Sequence, residues 1–485
     1  MTSLYKVLLA NLGKLGVSLF ISMSLGVFLK AYMPRALGVE NIGLFYFADS
    51  LSFIFFTFLP LGVHTFVNRV IPPDPQKIFV YYRSILVFML CFAVVLYLFY
   101  TGYVYFLGDK TGFLPIILCV GVFQAFHVLT KDILKPIFIA ADQVNFVSRM
   151  DIQHKVGQVS LVCLSLLLHP DLLLVSLMFV LSQFITFAFY LGKSFSLGWQ
   201  QSEFRWSHCK QFIIVGLPFF INSALLSFYG NIDITMLEHF GTHEEVGWYG
   251  SSQQLKGIFM MIVPLLQSVI MPLLSKQSSL GEEAFLEFVQ RIYWALIFLS
   301  WLLSAGMALF SFEIVPLLFG QPFQPAVNSV ILLAPVILFT YMNVFLSLIL
   351  NLISSGKGMI VVTSISLGLN ALLNIYMIPW GLKLFAQGGG GIGASITTIV
   401  AEVFVFAALL YITPLKILTW KNVILSLITF LGAGLVSYFL IIQPDLSPWL
   451  RGALFLLIIL ISITLAFVSQ RDIILKFLNH YRAQK

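Results

Sequence analysis

Long apolar runs alternate with short polar stretches along almost the whole chain, and the polar stretches contain charged residues, glycine or proline. Each run is about as long as the roughly 20 apolar residues that a helix needs to cross a bilayer. The pattern predicts an all-α polytopic membrane protein with about fourteen transmembrane helices. The predicted spans begin near residues 11, 42, 80, 112, 151, 170, 211, 246, 288, 327, 358, 390, 422 and 449.

The composition supports a lipid environment, because 59% of the 485 residues are hydrophobic and only 10% are charged. A soluble protein of this length needs more charge to cover its surface. The four cysteines have no spacing typical of a disulfide framework or a zinc site. The net charge of +7 comes from basic residues scattered singly along the chain, a pattern that does not favour a nucleic-acid partner.

The positive charges orient the predicted helices. If the N-terminus is cytoplasmic and the spans alternate, most of the 27 Lys and Arg residues fall on the cytoplasmic side, as the positive-inside rule requires. Lys155 falls on that side, whereas Lys30 falls on the outer side. We therefore expect both termini in the cytoplasm and the protein in the cell membrane.

An internal repeat is visible in two entry segments that each contain a short loop and the start of a span. RALGVENIGLFYFADSL at 35–51 parallels HFGTHEEVGWYGSSQQL at 239–255. Gly43 and Gly247 begin the descending helix of each copy. Both copies begin on the same side, so the repeat is parallel, and transporters built in this way bind their substrate between the two halves.

The repeat predicts a division into two pseudo-symmetric six-helix lobes and two additional helices. The predicted parts are an N-terminal lobe at 1–192, a cytoplasmic linker at 193–210, a C-terminal lobe at 211–412, and two helices with a cytoplasmic tail at 413–485.

Together with the RALGVENIG entry, the segment NALLNIYMIPW, followed by GGGGIGASITT at 388–398, resembles the multidrug/oligosaccharidyl-lipid/polysaccharide exporter superfamily. Within it, the chain is most similar to the polysaccharide (O-antigen, Wzx-like) flippases. The resemblance implies alternating-access transport of a polyprenyl-pyrophosphate-linked oligosaccharide from the inner to the outer leaflet. Asp49 stands where that family usually has an apolar or small residue, so the resemblance suggests no role for it.

Charges inside predicted spans are costly and usually face a cavity or a partner. Lys14, Lys131 and Lys135 lie in the cytoplasmic halves of two spans, and Arg69 lies at the cytoplasmic end of a third. Lys131 and Lys135 have the i, i+4 spacing that places two side chains on one helix face. We expect these four cations to bind the pyrophosphate. The alternative for Lys14 and Lys135 is that they extend to the lipid headgroups.

A second polar group lies in the predicted outer half and consists of Asp49, Asn231, Asp233 and Lys256. We expect it to couple transport to H⁺ or Na⁺, or to form an outer gate. A structural ion pair, with Asn231 holding helices together, is the alternative for the same residues. Glu402 lies away from the other charges, where a hydrogen-bonded structural role is expected.

Three other functions stay open. A cation-coupled drug exporter of the superfamily typically has twelve helices and acid-rich lobes, and a peptidoglycan-precursor flippase usually has arginines in its cavity. A polysaccharide polymerase or ligase needs a large outer loop, whereas the outer loops here are about ten residues long. His64 and His127 are isolated in predicted helices, and no metal-ligand spacing joins the histidines.

The chain is therefore expected to be a transporter and not an enzyme, with no cofactor and no metal. Its expected partners are the lipid-linked oligosaccharide, the bilayer, and the polymerase and assembly proteins of polysaccharide biosynthesis.

Overall fold

The protein is described by a computed structural model, which covers residues 2–72, 74–107, 113–353, 357–414, 420–443 and 446–469. These residues form helices and short connections, and no strand occurs among them. Ten helical stretches in this part of the chain are long and apolar enough to cross a membrane. The all-α membrane fold is thus confirmed, whereas the count of fourteen spans and the cytoplasmic position of the termini stay predictions.

Two compact units divide the chain, Met1–Gly247 and Trp248–Lys485. The helices of the first unit are α1 (Thr2–Phe56), α2 (Val63–Val70), α3 (Ile78–Leu107), α4 (Leu114–Val128), α5 (Lys135–Ala140), α6 (Val144–Leu168), α7 (Leu172–Ser196) and α8 (Trp206–Phe240). A π-helix at Leu129–Leu134 joins α4 to α5.

The remaining helices begin with α9, which crosses the boundary between the units. They are α9 (His243–Met260), α10 (Ile262–Leu280), α11 (Glu282–Leu309), α12 (Ser311–Phe319), α13 (Ala326–Ile353), α14 (Lys357–Leu384), α15 (Gly389–Ile412), α16 (Trp420–Ile442) and α17 (Pro448–Ser469). The predicted four-part division rests on the sequence repeat and stays a prediction.

Helix α1 contains the first two predicted spans, joined at a sharp bend. Gly38 lies at the bend with φ 79° and ψ 174°, a conformation that glycine adopts at little cost. Pro34, one turn earlier, has no N–H to donate to the carbonyl of Lys30 and weakens the helix there. The bend allows the segment from 39 to 56 to descend beside the other helices of the unit.

The segment between α7 and α8 is held against α3 by hydrogen bonds. The Arg205 N–H donates to Ser84 Oγ, and the Arg83 N–H donates to Ser202 Oγ, each at 3.0 Å. Trp199 in this segment is buried, with 4% of its surface exposed. These contacts hold the start of α8 in the first unit, although the repeat assigns α8 to the C-terminal lobe.

In the second unit, the glycine-rich sequence at 388–393 brings α14 and α15 into backbone contact. A side chain at Gly389 would overlap the carbonyl of Gly381, and one at Gly393 would overlap the carbonyl of Met377. Small residues allow helices in membranes to approach this closely. The glycine-rich sequence therefore allows α15 to pack closely against α14.

The two C-terminal helices pack within the second unit through polar contacts. Arg451 of α17 forms an ion pair with Glu313 of α12 at 2.9 Å and donates from Nε to the Leu446 carbonyl at 2.9 Å. Ser437 of α16 donates to the Ile331 carbonyl of α13 at 2.9 Å.

Candidate functional site

A groove between α1 and α8 is bounded by close backbone contacts: α1 meets the start of α9 at one end, and the turn after α1 meets α8 at the other. At one end, side chains added at Gly43 and Gly247 would overlap the carbonyls of His243 and Val39. At the other end, a Cβ on Gly216 of α8 would lie 2.7 Å from the carbonyl carbon of Gly62. The two glycines that begin the repeat copies are thus a point of contact.

A cavity of 310 Å³ lies in the groove beside the Gly62 contact and is called the Lys131 cavity here. Its walls come from the end of α1, the turn before α2, α2 itself, the α4–π-helix segment and α8. The polar groups that line it are those of Thr57, His64, Thr65, His127, Lys131, Asp132, Ser223 and Ser227. Such a mixture of hydroxyl, imidazole, ammonium and carboxylate groups can bind a charged ligand.

The π-helix explains why Lys131 and Asp132 line the cavity. Pro136 has no N–H, and its ring would clash with the carbonyl of Asp132 in a regular α-helix. The N–H of Lys135 donates to the carbonyl of Thr130, five residues back, so the ladder is widened by one residue. Such π-bulges are frequent at functional sites.

Lys131 and Lys135 do not face the same cavity. Lys131 is exposed and lines the cavity, and its Nζ has no hydrogen bond or ion pair with the residues that the structure describes. Lys135 instead forms an ion pair with Asp151 of α6, with Nζ and Oδ2 2.7 Å apart. The extra residue in the π-helix breaks the α-helical geometry behind the i, i+4 spacing.

Arg69 is not among the described residues that line the cavity. Arg69 is exposed in the last turn of α2, and it already has an interaction partner. Lys14 lies outside the residues whose side chains are described.

Two histidines that are isolated in the sequence meet at the same cavity. His64 and His127 both line the Lys131 cavity, and His127 Nδ1 lies 3.4 Å from Gln183 Oε1. One clue was present, because His127 precedes Lys131 by four residues and such pairs are neighbours on a helix. His64 could not be found in this way, because it reaches the cavity only through the turn at Gly62.

Asp49 belongs to a buried polar layer deeper in the first unit. Gln124 of α4 donates to Asp49 Oδ1 at 2.6 Å, and Lys30 lies within electrostatic range of the same carboxylate. Lys155 of α6 lies against Gly26 of α1, within electrostatic range of Lys30. Two charges on opposite sides of a bilayer core roughly 30 Å thick cannot interact at this range. The sequence-based assignment of Lys30 and Lys155 to opposite sides is therefore wrong for at least one of them.

The remaining predicted residues are all engaged. Asn231 donates to the Ser227 carbonyl of its own helix at 2.9 Å. Asp233 is 5% exposed and has a partner, as does the half-buried Lys256. Asn343 donates to Glu402 Oε2 at 2.7 Å in the second unit.

Residues 8–278 match the family model described as "Polysaccharide biosynthesis protein". The chain belongs to this family. No curated protein matches this family member.

Solved structures of transporters share the fold of this family member. It is similar to the lipid II flippase MurJ in an inward closed conformation, with a TM-score of 0.68 and 12% identity over 95% of this chain and 99% of that one. It is also similar to an inward-facing multidrug resistance MATE family transporter, with a TM-score of 0.58 and 12% identity over 82% and 96%. A third similar structure is the MATE transporter VcmN of Vibrio cholerae, with a TM-score of 0.55 and 12% identity over 84% and 97%.

These findings confirm the superfamily predicted from the sequence. This polysaccharide biosynthesis family member is a multi-pass protein of the cell membrane and a transporter of the multidrug/oligosaccharidyl-lipid/polysaccharide exporter superfamily. Its family and its similar structures are transporters and flippases, not enzymes. Within the described part of the chain, no group of three or more His, Cys, Asp or Glu residues is arranged to hold a metal ion.

Proposed function

We propose that the protein is a flippase that moves a polyprenyl-pyrophosphate-linked oligosaccharide from the inner to the outer leaflet for the synthesis of a cell-surface polysaccharide such as O-antigen. The family description and the similarity to a lipid II flippase both support a lipid-linked sugar as the substrate. Transport proceeds by alternating access and forms no covalent bond to the protein.

The Lys131 cavity is the observation on which this proposal rests. Among the predicted cations whose side chains are described, Lys131 is the one that lines a cavity. A lysine ammonium binds phosphate as a point charge, and hydroxyls such as those of Ser223 and Ser227 can donate to its oxygens. The Lys/Arg distribution would put this cavity toward the cytoplasm, where the substrate is made.

Asp132 gives the cavity a mixed charge. It lies within electrostatic range of Lys131, His64 and Lys135, so those groups compensate its carboxylate. A bound pyrophosphate would compete with Asp132 for Lys131. We propose that this competition keeps binding weak enough for release, since a transporter must also discharge its substrate.

Asp49 is proposed as a structural residue and not as a coupling site. Lys30 compensates its charge and Gln124 occupies one of its oxygens, so a transported cation would have to displace both. If H⁺ or Na⁺ drives transport, the coupling site therefore lies at another residue, and Asp233 is the candidate.

A cation-coupled drug exporter is the second candidate function, and Asp132 is the observation that favours it. In that case the cavity would bind an organic cation through the Asp132 carboxylate, and Lys131 would repel the ligand. The two functions therefore predict opposite consequences for the same pair of substitutions.

The test compares Lys131→Ala with Asp132→Asn in proteoliposomes. Flipping of a fluorescent polyprenyl-pyrophosphate disaccharide is measured by its exposure to dithionite, and ethidium efflux is measured in parallel. We expect Lys131→Ala to slow flipping about 10- to 100-fold, because a hydrogen bond to a charged group contributes about 1.5–3 kcal/mol. Asp132→Asn should leave flipping unchanged or faster.

Normal flipping by folded Lys131→Ala protein would show that Lys131 does not bind the pyrophosphate. Ethidium efflux that Asp132→Asn abolishes and Lys131→Ala preserves would establish the exporter instead.

A further inference from the structure

A second cavity of 520 Å³ lies in the first unit between α1, α3, α4 and α8, and is called the Glu238 cavity here. This volume is within the range of roughly 300–1,000 Å³ that is usual for ligand pockets. Aromatic side chains form much of its wall, among them Phe47, Tyr103 and Phe113. Glu238, His239 and His243 form its polar side.

The polar side of the cavity has its own histidine–carboxylate pair. His243 Nδ1 lies 2.9 Å from Glu238 Oε1, and the Phe113 ring packs edge-on against the His243 imidazole with centroids 5.1 Å apart. The side chains of Glu238 and His243 are 17% and 21% exposed, so both are largely withdrawn from solvent. The pair is therefore held by its own hydrogen bond and by the Phe113 ring.

The chemistry of this cavity differs from that of the Lys131 cavity. No Lys or Arg occurs among the described residues that line it, and a carboxylate is present. A pyrophosphate would meet repulsion from Glu238, which already engages His243, and no Lys or Arg of the described lining would offset it. A polyprenyl tail would leave the remaining hydrogen-bonding capacity of the Glu238–His243 pair unsatisfied, which is costly when water is excluded.

A sugar satisfies both sides of the cavity at once. Its hydroxyls donate to a carboxylate and exchange hydrogen bonds with imidazole. The C–H edges of a sugar ring pack against aromatic faces through weak contacts. Aromatic walls beside a carboxylate and imidazoles are therefore suited to a neutral hydroxylated ligand.

The two cavities also lie along the same pair of helices. On α8, Ser227 lines the Lys131 cavity and Thr235 lines the Glu238 cavity, about 12 Å apart along the helix axis. On α1, Leu51 lines one cavity and Phe53 the other. A single lipid-linked oligosaccharide is long enough to place its phosphates in one cavity and its sugars in the other.

We propose that the Glu238 cavity is a binding site for the sugar portion of the transported lipid-linked oligosaccharide. The inference rests on the proposed flippase function and adds to it a position for the glycan, with Tyr103 and Phe113 as stacking surfaces and the Glu238–His243 pair as the hydrogen-bonding partner.

Site-specific photo-crosslinking tests this assignment in cells. p-Benzoylphenylalanine replaces Tyr103 in the Glu238 cavity, Phe53 in the Lys131 cavity, or Leu98, which is 64% exposed on α3. Cells are fed tritiated galactose and glucosamine and irradiated, and the purified protein is treated with mild acid. The acid cleaves the bond between sugar and pyrophosphate, so the label stays on the protein only if the crosslink is to the sugar.

We expect acid-resistant label with the probe at position 103 and none with the probe at position 98. Adding Glu238→Gln should reduce the acid-resistant label at position 103 several-fold while leaving the label at position 53, measured before acid treatment, unchanged. Label at position 103 that acid removes would mean that the cavity holds the lipid tail. Label at position 53 with none at position 103 would overturn the inference and leave the flippase standing. Absence of label at both positions would overturn the flippase itself.

Discussion

The ion pair between Lys135 and Asp151 predicts that the two neighbouring lysines have separable roles. At a separation of 2.7 Å, the Coulomb energy is about 6 kcal/mol at an effective dielectric constant of about 20. Desolvation cancels much of it, and the side chains are 30% and 26% exposed. We therefore expect Lys135→Met to lower the free energy of unfolding by about 1–3 kcal/mol, between the values for exposed and buried pairs.

The assay is SDS-induced unfolding in mixed micelles, read with a double-mutant cycle. Asp151→Asn should be destabilising in the wild-type background and nearly neutral in Lys135→Met, because the pair is then already broken. Lys210→Met, at an exposed lysine of α8, is the matched control and should change the free energy of unfolding by less than about 0.5 kcal/mol. Lys131→Met should leave stability unchanged and impair flipping.

The opposite result for Lys135 would refute this reasoning. A Lys135→Met protein with normal stability and lost transport would mean that Lys135 binds substrate, as the i, i+4 spacing predicts.

Two further predictions concern packing. Gly216→Ala should hold α8 away from Gly62, because its Cβ would lie 2.7 Å from the Gly62 carbonyl carbon, and maleimide labelling of Ser223→Cys in the Lys131 cavity should then accelerate. Gly230→Ala is the control, because the space around Gly230 is open. Equal labelling rates in both variants would contradict the close contact between α8 and the Gly62 turn. Asn343→Ala should lower the free energy of unfolding by about 1–3 kcal/mol, because the Glu402 carboxylate, 8% exposed, loses a donor. Unchanged unfolding in SDS would show that Glu402 does not depend on Asn343.

The fold class could be predicted from the sequence because the hydrophobic pattern is strong and lipid allows few alternatives. In a bilayer, backbone groups must be paired within the protein, so long apolar runs become helices. The repeat glycines were equally informative. Gly43 and Gly247 stand at matching positions, and both lie where the backbones touch.

The positions of individual charges could not be predicted in the same way. Hydropathy placed Lys30 and Lys155 near helix ends, whereas α6 begins at Val144 and carries Lys155 three turns inward. Lys155 donates to Gln158 Oε1 at 2.8 Å, and Lys30 lies within electrostatic range of Asp49, a partner that hydropathy does not reveal.

The candidate site shows the same limit. Spacing alone grouped Lys131 with Lys135, because it assumes a regular α-helix. Pro136 was visible in the sequence and could have warned of a π-bulge. The contribution of His64 depends on the turn at Gly62, where φ is 77°; Pro60 and Gly62 signal a turn, but not which helices it brings together.

The most direct test of the proposed function is the fate of the lipid-linked sugar in cells that lack this protein. Polyprenyl-linked oligosaccharides are identified by mass spectrometry, and their exposure is measured with a reagent confined to the outer face. A flippase predicts that a complete lipid-linked oligosaccharide accumulates and stays inaccessible from outside. Normal levels and normal exposure of these lipids, together with new sensitivity to cationic drugs, would contradict the flippase and favour an exporter.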